Sequence, residues 1–566
     1  MQESQKLKPF LAKIQLIFLI LIIGLSVYFN SFFNGFVWDD EEQILNNSII
    51  KNFSNLPLIF KSSTFSTGGA GLSGLYYKPL MSFSFMVNYL IWQSSPFGFH
   101  LFQVILHLIN AVFVFLIFSK FFKNTFVSFF LSLIFTVHPV NTESVSYISA
   151  VQEVLFTFFT LLAFLILLYF KNKKPLIISA LLIFLGLLSK ETALLSIVIF
   201  LFYFIIFEKE RIVSWILFSF IIILNYLFLR IGIAKLPFSH SSFAPISEAT
   251  FFQRFLTIPW EIIYYFRVLF FPKTLTIAQH TVIKNPADFS FWGYGILTLI
   301  FIAGIIWIAL KLKSKNFYFF LFWFFCSLSL ILNIFPLDMT VAERWLYFPM
   351  IGFLGMAGVI IEKLNIKNKK IKTFGMIFAF IIIFTFSIRT ILRNFDWKNG
   401  LTLYRRDVIN NPTAFDLQNN YGVELFRIGK VDEAKKHFEK SIVLAPKWWT
   451  SYNNLGAVYE RKGDLKQAEK LYRQAIKNSD YYLAYENLGF LLLKTNQIKE
   501  AVSFLEKAIL KFPQNSRLKV ALSLAYYKEN RQEEALMMAK QAFYLEPTIQ
   551  NKNLIELIMS QKRVDF

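Results

Sequence analysis

Long apolar runs recur through the first 400 residues and leave few folds open. They lie near 14–33, 99–119, 125–140, 149–170, 175–189, 192–207, 212–229, 290–310, 317–335, 345–361 and 373–391. Runs of this kind read as membrane-crossing helices, which gives a count of about eleven spans, adjacent short runs such as 175–189 and 192–207 being the hardest to divide. The loops between them fix an orientation. With the N-terminus cytoplasmic, alternate loops collect Lys6, Lys8 and Lys13, then Lys120 and Lys123, Lys171 to Lys174, Lys209 and Arg211, Lys311 to Lys315, and Lys363 to Lys372. Recurrence at every second loop is the positive-inside pattern, and it places whatever follows the last span on the opposite, extracytoplasmic side. The first run ends at Phe29, Phe32 and Phe33 with no small-residue cleavage pattern, so it reads as a span and not as a cleaved signal.

Composition matters here mainly for what it excludes. A chain of 566 residues with 55% apolar residues and 70 Phe is not one soluble domain, and its formal charge of +22 invites a nucleic-acid partner. The charge is divided, however: residues 400–566 carry 26 Lys and Arg against 19 Asp and Glu, and the remainder sits in the loops between apolar runs. Loop anchors of this kind argue against a polyanion-binding face, so no nucleic-acid partner is expected. Cys326 is the only cysteine, which excludes a disulfide framework and a cysteine metal site.

The outward loops are uneven. Residues 34–98 hold Asp39, Asp40, a Ser/Gly stretch from Ser62 to Gly74 and an aromatic amphipathic piece from Lys78 to Trp92, while residues 230–289 hold an expected interface helix near Pro259–Phe271. Polar groups gather just beyond one end of the spans. A transporter would more often place them at the midplane between repeated halves.

After Arg389 the chain turns polar and periodic. Gly422, Gly456 and Gly489 are spaced by 34 and 33, Ala434, Ala468, Ala501 and Ala535 keep the same period, and Phe438, Tyr472 and Leu505 follow four residues after three of the alanines. Each unit reads as a helix pair with the small residue at the crossing, and the pattern resembles the tetratricopeptide repeat. Four units and a terminal helix near 548–560 fill residues 413–566, with 396–412 as connector and 1–395 as the membrane part. Arrays of this kind bind or space partners and rarely contribute catalytic groups.

Four segments carry candidate chemistry. In "NGFVWDDEEQILNN", adjacent Asp39 and Asp40 repel each other, which suits a proton acceptor or a divalent ion; the plainer reading is a solvated helix start. In "TVHPVNTESVSYISAVQEV", His138, Glu143, Tyr147 and Glu153 cluster at an outer boundary, without a second His at a ligand spacing. Lys190 and Glu191 in "LLSKETALL", and Glu343 and Arg344 in "DMTVAERWLYFPMIG", interrupt apolar sequence where a charge is costly unless paired or used. Lys190 and Arg344 could clamp a phosphate, or each could simply pair with its neighbouring Glu.

Several segments in one order, "FVWDDEEQILNN", "YYKPLMSFSFMVNYLIW" with "GFHLFQVILHLINA", "HPVNTESVSYIS", "LLSKE" and "AERWLYFPMIGF", resemble the transmembrane and tetratricopeptide-repeat-containing O-mannosyltransferase-like family over nearly the whole chain. The resemblance implies an all-α, polytopic GT-C-like core followed by a tetratricopeptide α-solenoid, in a cell membrane with the repeats outside. It implies transfer of a sugar, mannose in the family, from a polyprenyl-phosphate carrier to Ser or Thr hydroxyls of an extracytoplasmic polypeptide recruited through the repeat surface. Asp39 and Asp40 match the acidic pair that supplies the base. His138, Glu143, Lys190, Glu191, Glu343, Arg344 and Tyr347 match segments that surround the donor. No cofactor is implied firmly; a divalent metal, if used, falls to Asp39 and Asp40. Two positions depart from the family: "SAVQEV" lacks an Arg and puts its acid at Glu153, and Trp345 stands where Tyr is usual. An envelope glycan or lipid acceptor, or a non-catalytic transporter or scaffold of lipid-linked sugar, is the competing reading.

Overall fold

The computed structural model describes residues 2–65, 76–236, 244–364 and 368–560. Most of the Ser/Gly stretch read between Ser62 and Gly74 lies outside them. The chain divides between Pro412 and Thr413 into two compact units.

In the first unit each of the eleven apolar runs is helical. Starts are set by ordinary capping chemistry. Asn124, Asp288 and Asn368 accept from backbone N–H groups two residues on, and Pro96, Pro175 and Pro349 occupy first turns, where a missing N–H costs nothing. The expected eleven spans narrow to six among the described residues, Leu11–Phe33, Pro96–Phe121, Ile148–Tyr169, Lys209–Ile233, Phe289–Leu312 and Lys369–Asp396. A seventh is Thr125–Val137 with Pro139–Ser146, if this pair, bent by 46°, crosses as one. The other runs form helices that are too short: Lys174–Ser189 has 16 residues, and Lys315–Ser329 and Pro349–Lys363 have 15 each. At about 1.5 Å per residue they fall short of a hydrocarbon core of about 30 Å. The expected interface helix runs longer than anticipated, over Phe251–Phe270 with Pro259 inside it. Apolar side chains such as Leu299, Trp307, Phe374 and Phe384 stand more than half exposed along the peripheral spans. A face of that extent belongs in lipid, and the first unit is a multi-pass membrane domain by helix length and composition.

The stretch 396–412 contains a helix, Gly400–Asn410. It is fastened by a buried, two-pronged ion pair in which Arg393 Nη1 and Nη2 donate to Asp407 Oδ1 and Oδ2 at 2.7 and 3.0 Å. Asp407 Oδ2 also accepts from the Ile277 N–H at 2.8 Å, so one carboxylate joins the last span, this helix and the outer loop.

The second unit consists of helix pairs Phe415–Arg427 with Val431–Leu444, Trp449–Arg461 with Leu465–Asn478, Tyr482–Lys494 with Ile498–Lys511, and Ser516–Lys528 with Gln532–Leu545, then Ile549–Met559. Turns between the paired helices use Gly429, Gly463, Asn496 and Asn530, all with positive φ, at equivalent places in successive units. The crossing is as tight as the glycine period suggests: a Cβ on Gly456 would lie 2.6 Å from the Tyr472 ring, and one on Gly422 2.7 Å from the Phe438 ring. Gly456→Ala is therefore expected to lower the stability of the repeat unit by about 1–3 kcal/mol through overpacking. Thermal unfolding checks this, with Gly375→Ala as a control because that position faces open space.

Candidate active site

The first outer loop is anchored before it reaches the carboxylates. Asn30 and Asn34 donate to the carbonyls of Ile391 and Asn394 at 3.0 Å, and the Gly35 N–H donates to Lys398 O at 2.9 Å, so the end of the first span is fixed to the end of the last. Trp38 then adopts φ 58°, a left-handed conformation that costs a side-chain-bearing residue about 1–3 kcal/mol and persists only where surrounding contacts impose it. Its ring stacks on Tyr147 at 5.3 Å, and Tyr147 stacks on Trp397 at 5.6 Å.

Beyond this turn the two adjacent carboxylates have different surroundings. Asp40 is fully buried; Oδ1 accepts from the Ser149 N–H at 2.8 Å and the Ser149 hydroxyl at 2.6 Å, and Oδ2 accepts from the Val37 N–H at 3.0 Å. Burial nevertheless pushes Asp40 up to about 7, against those hydrogen bonds and with a further upward push from the charge of Asp39. Asp39 is half-buried. Its Oδ2 accepts from the Tyr147 hydroxyl at 2.7 Å, and no hydrogen bond among the described residues ends on its Oδ1. Burial raises the Asp39 carboxyl above the usual range, opposed by the Tyr147 bond and then by the charges of Arg344 and Lys78.

Cations stand opposite. Arg344 pairs with buried Glu143, which also accepts from the Arg344 N–H at 2.9 Å, and the guanidinium lies 5.7 Å from the ring centroids of both Trp38 and Trp345. Lys190 pairs with buried Glu153. Lys78, just before the helix Pro79–Trp92, is a site residue with no motif of its own in the sequence. It lies over the Tyr76 ring at 4.6 Å and within electrostatic reach of Lys190 and Arg344; burial and those like charges lower it to about 8. Asp338, bonded by the Tyr76 hydroxyl, completes the neighbourhood at its exposed edge. Lys78 and Asp338 each lie inside a segment quoted above, but nothing in their spacing distinguishes them from loop charges.

The structure thus brings together Asp39, Glu143, Lys190 and Arg344, with Asp40 behind them. Glu191 pairs with Arg230. Glu343 is buried and accepts from the Thr276 N–H at 2.5 Å, bracing the outer loop. His138 sits at the bend after Val137 with both ring nitrogens occupied: Nδ1 accepts from the Val140 N–H at 3.1 Å, and Nε2 donates to Leu269 O at 2.9 Å. Tyr347 is buried among helices, donating to His107 Nδ1 at 2.8 Å and accepting from Asn110 at 3.2 Å. Glu343, His138 and Tyr347 contribute to the frame and not to the group of charges, and Glu191 is taken up by Arg230. For a divalent ion the donors do not fit. Asp40 has both oxygens engaged by protein donors, and no group of three His, Cys, Asp or Glu suited to a metal occurs among the described residues.

Two tetratricopeptide-repeat family models match residues 413–480 and 459–525. The chain is 27% identical to Protein O-mannosyl-transferase F38B6.6 of Caenorhabditis elegans, over 76% of this chain and 63% of that protein. It is 26% identical to Protein O-mannosyl-transferase TMTC3 of Homo sapiens, over 82% of this chain and 55% of that protein. The chain therefore spans a little over half the length of these curated relatives. A membrane domain of long apolar helices, a tetratricopeptide array and a broad resemblance to O-mannosyltransferase-like proteins define the kind of protein this chain is.

Proposed function

We propose that the chain is a GT-C-type glycosyltransferase that moves a sugar, mannose by analogy with its relatives' names, from a polyprenyl-phosphate carrier to Ser or Thr hydroxyls of extracytoplasmic polypeptides. The observation that carries this reading is the asymmetry of the acidic pair. Asp40 is engaged as a structural acceptor, whereas Asp39 keeps one oxygen open within the electrostatic reach of Arg344 and Lys78. In this mechanism Asp39 Oδ1 takes the proton of the acceptor hydroxyl as its oxygen attacks the anomeric carbon, and the bond to the carrier phosphate breaks on the opposite face. Arg344, fixed in direction by Glu143, and Lys190 stabilise the departing phosphate, with Lys78 adding a third charge. Tyr147 holds the other oxygen of Asp39 and so aims the base.

A single displacement inverts the anomeric centre, so a β-linked carrier yields an α-linked product. Linkage analysis of the product from a defined donor tests this, and retention of configuration would overturn the one-step scheme. The base also sets a pH dependence. Asp39 acts ionised, and burial raises its pKa, so turnover is expected to fall on acidification at a pH above the ordinary Asp range of about 4. Tyr147→Phe removes a bond that favours the ionised form, and the acid limb should move further upward. A limb unchanged by Tyr147→Phe would show that the titrating group is not Asp39.

A further inference from the structure

The helices Val151–Tyr169 and Lys174–Ser189 pack against each other as a hairpin. Its open end carries the pair Glu153 and Lys190 of the candidate active site, so its closed end, residues 170–173, lies about 25 Å away at about 1.5 Å per residue. On the inner side this tip is tied down. Lys171 pairs with Glu208, which also accepts from Arg211 Nη1 at 2.8 Å and from the Tyr203 hydroxyl at 2.9 Å, and Arg211 Nη1 reaches Leu167 O at 3.2 Å.

On the outer side the tip is open. A cavity of about 310 Å³ lies there, at the lower end of the range of about 300–1,000 Å³ for small-molecule sites. Its walls are Ile166, Phe170, Pro175 and Ile178, with Asn172 and Lys174 as its polar lining. Phe170 and Ile178 are 57% and 48% exposed, and Lys173 and Lys174 are exposed and form no ion pair among the described residues. Exposed Tyr169, with the Lys120 ammonium 3.8 Å from its ring centroid, puts this depth at the membrane–water boundary.

The lining selects its occupant by chemistry. A soluble anion would use the lysines and leave the apolar wall idle, and an uncharged lipid would use the wall and leave two unpaired ammonium groups beside it. An amphiphile with an anionic head and an apolar stem uses both. The length of the second helix supplies a further argument. Its 16 residues rise about 24 Å against a hydrocarbon core of about 30 Å, a mismatch that is met by drawing headgroups inward to its first turn.

We infer that this groove holds one phospholipid with an anionic headgroup, in the leaflet away from Asp39. The phosphate sits against Lys174 and Asn172, and the first methylenes of an acyl chain lie along Ile166, Phe170 and Ile178. The lipid thereby sets the depth of the hairpin whose other end presents Lys190. The site stands independently of the sugar-transfer reading.

In the test, phosphatidylglycerol and phosphatidylcholine with the same acyl chains are offered together at equal concentration to the delipidated full chain in detergent, and native mass spectrometry counts the lipids retained. Wild type should retain one phosphatidylglycerol in preference to phosphatidylcholine by about tenfold. Lys174→Gln should lower that preference about fivefold, the effect of one surface lysine on an anionic lipid. Ile178→Trp, which fills the groove and leaves its charge, should lose the retained lipid. Both positions are exposed, so neither variant should change the melting temperature. Lys363 is an exposed lysine that ends the helix Pro349–Lys363 and does not line the groove, and Lys363→Gln should behave as wild type. Three results would each overturn the inference: equal retention of the two lipids by wild type, undiminished lipid on Ile178→Trp, or a loss of preference with Lys363→Gln as large as with Lys174→Gln, the mark of diffuse charge alone.

Discussion

Asp39→Asn is expected to lower turnover by about 10²–10⁴-fold, the range contributed by a positioned general base, while leaving affinity for the lipid-linked donor within about twofold. The argument is one of geometry. Asn keeps the size of the side chain and can still accept from Tyr147, yet its remaining end cannot take a proton from a hydroxyl. Asp40→Asn is the informative comparison. Three donors converge on that carboxylate inside the protein, and an amide would turn an N–H against one of them. Its damage should therefore appear as reduced yield and stability, with turnover per folded molecule affected less. If Asp40→Asn folded normally and lost activity while Asp39→Asn retained it, the roles assigned to the pair would be reversed.

The second large effect is on stability. Arg393 and Asp407 are 1% and 0% exposed, and their two-pronged contact also supports the Ile277 N–H. Asp407→Ala removes both prongs, leaves the buried guanidinium to its longer contact with Asp396 at 3.2 Å, and should cost up to about 3–5 kcal/mol. Replacing both partners, Arg393→Met with Asp407→Leu, should recover much of that loss, because the penalty lies in the stranded charge more than in the lost attraction. Thermal unfolding of the two single variants and the double variant measures the coupling directly; additive losses would mean that the pair is not a unit.

How far the sequence foretold this arrangement depended on the kind of signal. Hydrophobic period identified every apolar helix, because burial and lipid exposure both act on the same run of side chains, but not which helices are long enough to cross. The glycine period of the repeats was legible for a similar reason: one tight crossing repeated in three successive units leaves a mark at each copy. The inequality of Asp39 and Asp40 was not legible. It arises from the positive φ of Trp38, a conformation imposed by the stack on Tyr147 and the anchors to the last span, and nothing local to Trp38 signals it. Beside a phosphate clamp, the sequence offers pairing between neighbours, Lys190 with Glu191 and Arg344 with Glu343. Adjacent residues near a helix start point in different directions, and the folded partners are Glu153 and Glu143 instead. Glu191 and Glu343 turn to Arg230 and the Thr276 N–H. Lys78 and Asp338 come from segments far apart in sequence and join the site only through the fold.

The measurement that tests the central claim most directly is transfer in a reconstituted system: the purified chain in liposomes, a synthetic polyprenyl-phosphate carrier bearing radiolabelled mannose, and a Ser/Thr peptide on the side of Asp39. The label is expected to become covalently attached to peptide hydroxyls with wild type and with the control Gly375→Ala, and to stay on the carrier with Asp39→Asn. Label that crosses the bilayer still attached to lipid, or transfer by Asp39→Asn at the wild-type rate, would contradict the assignment.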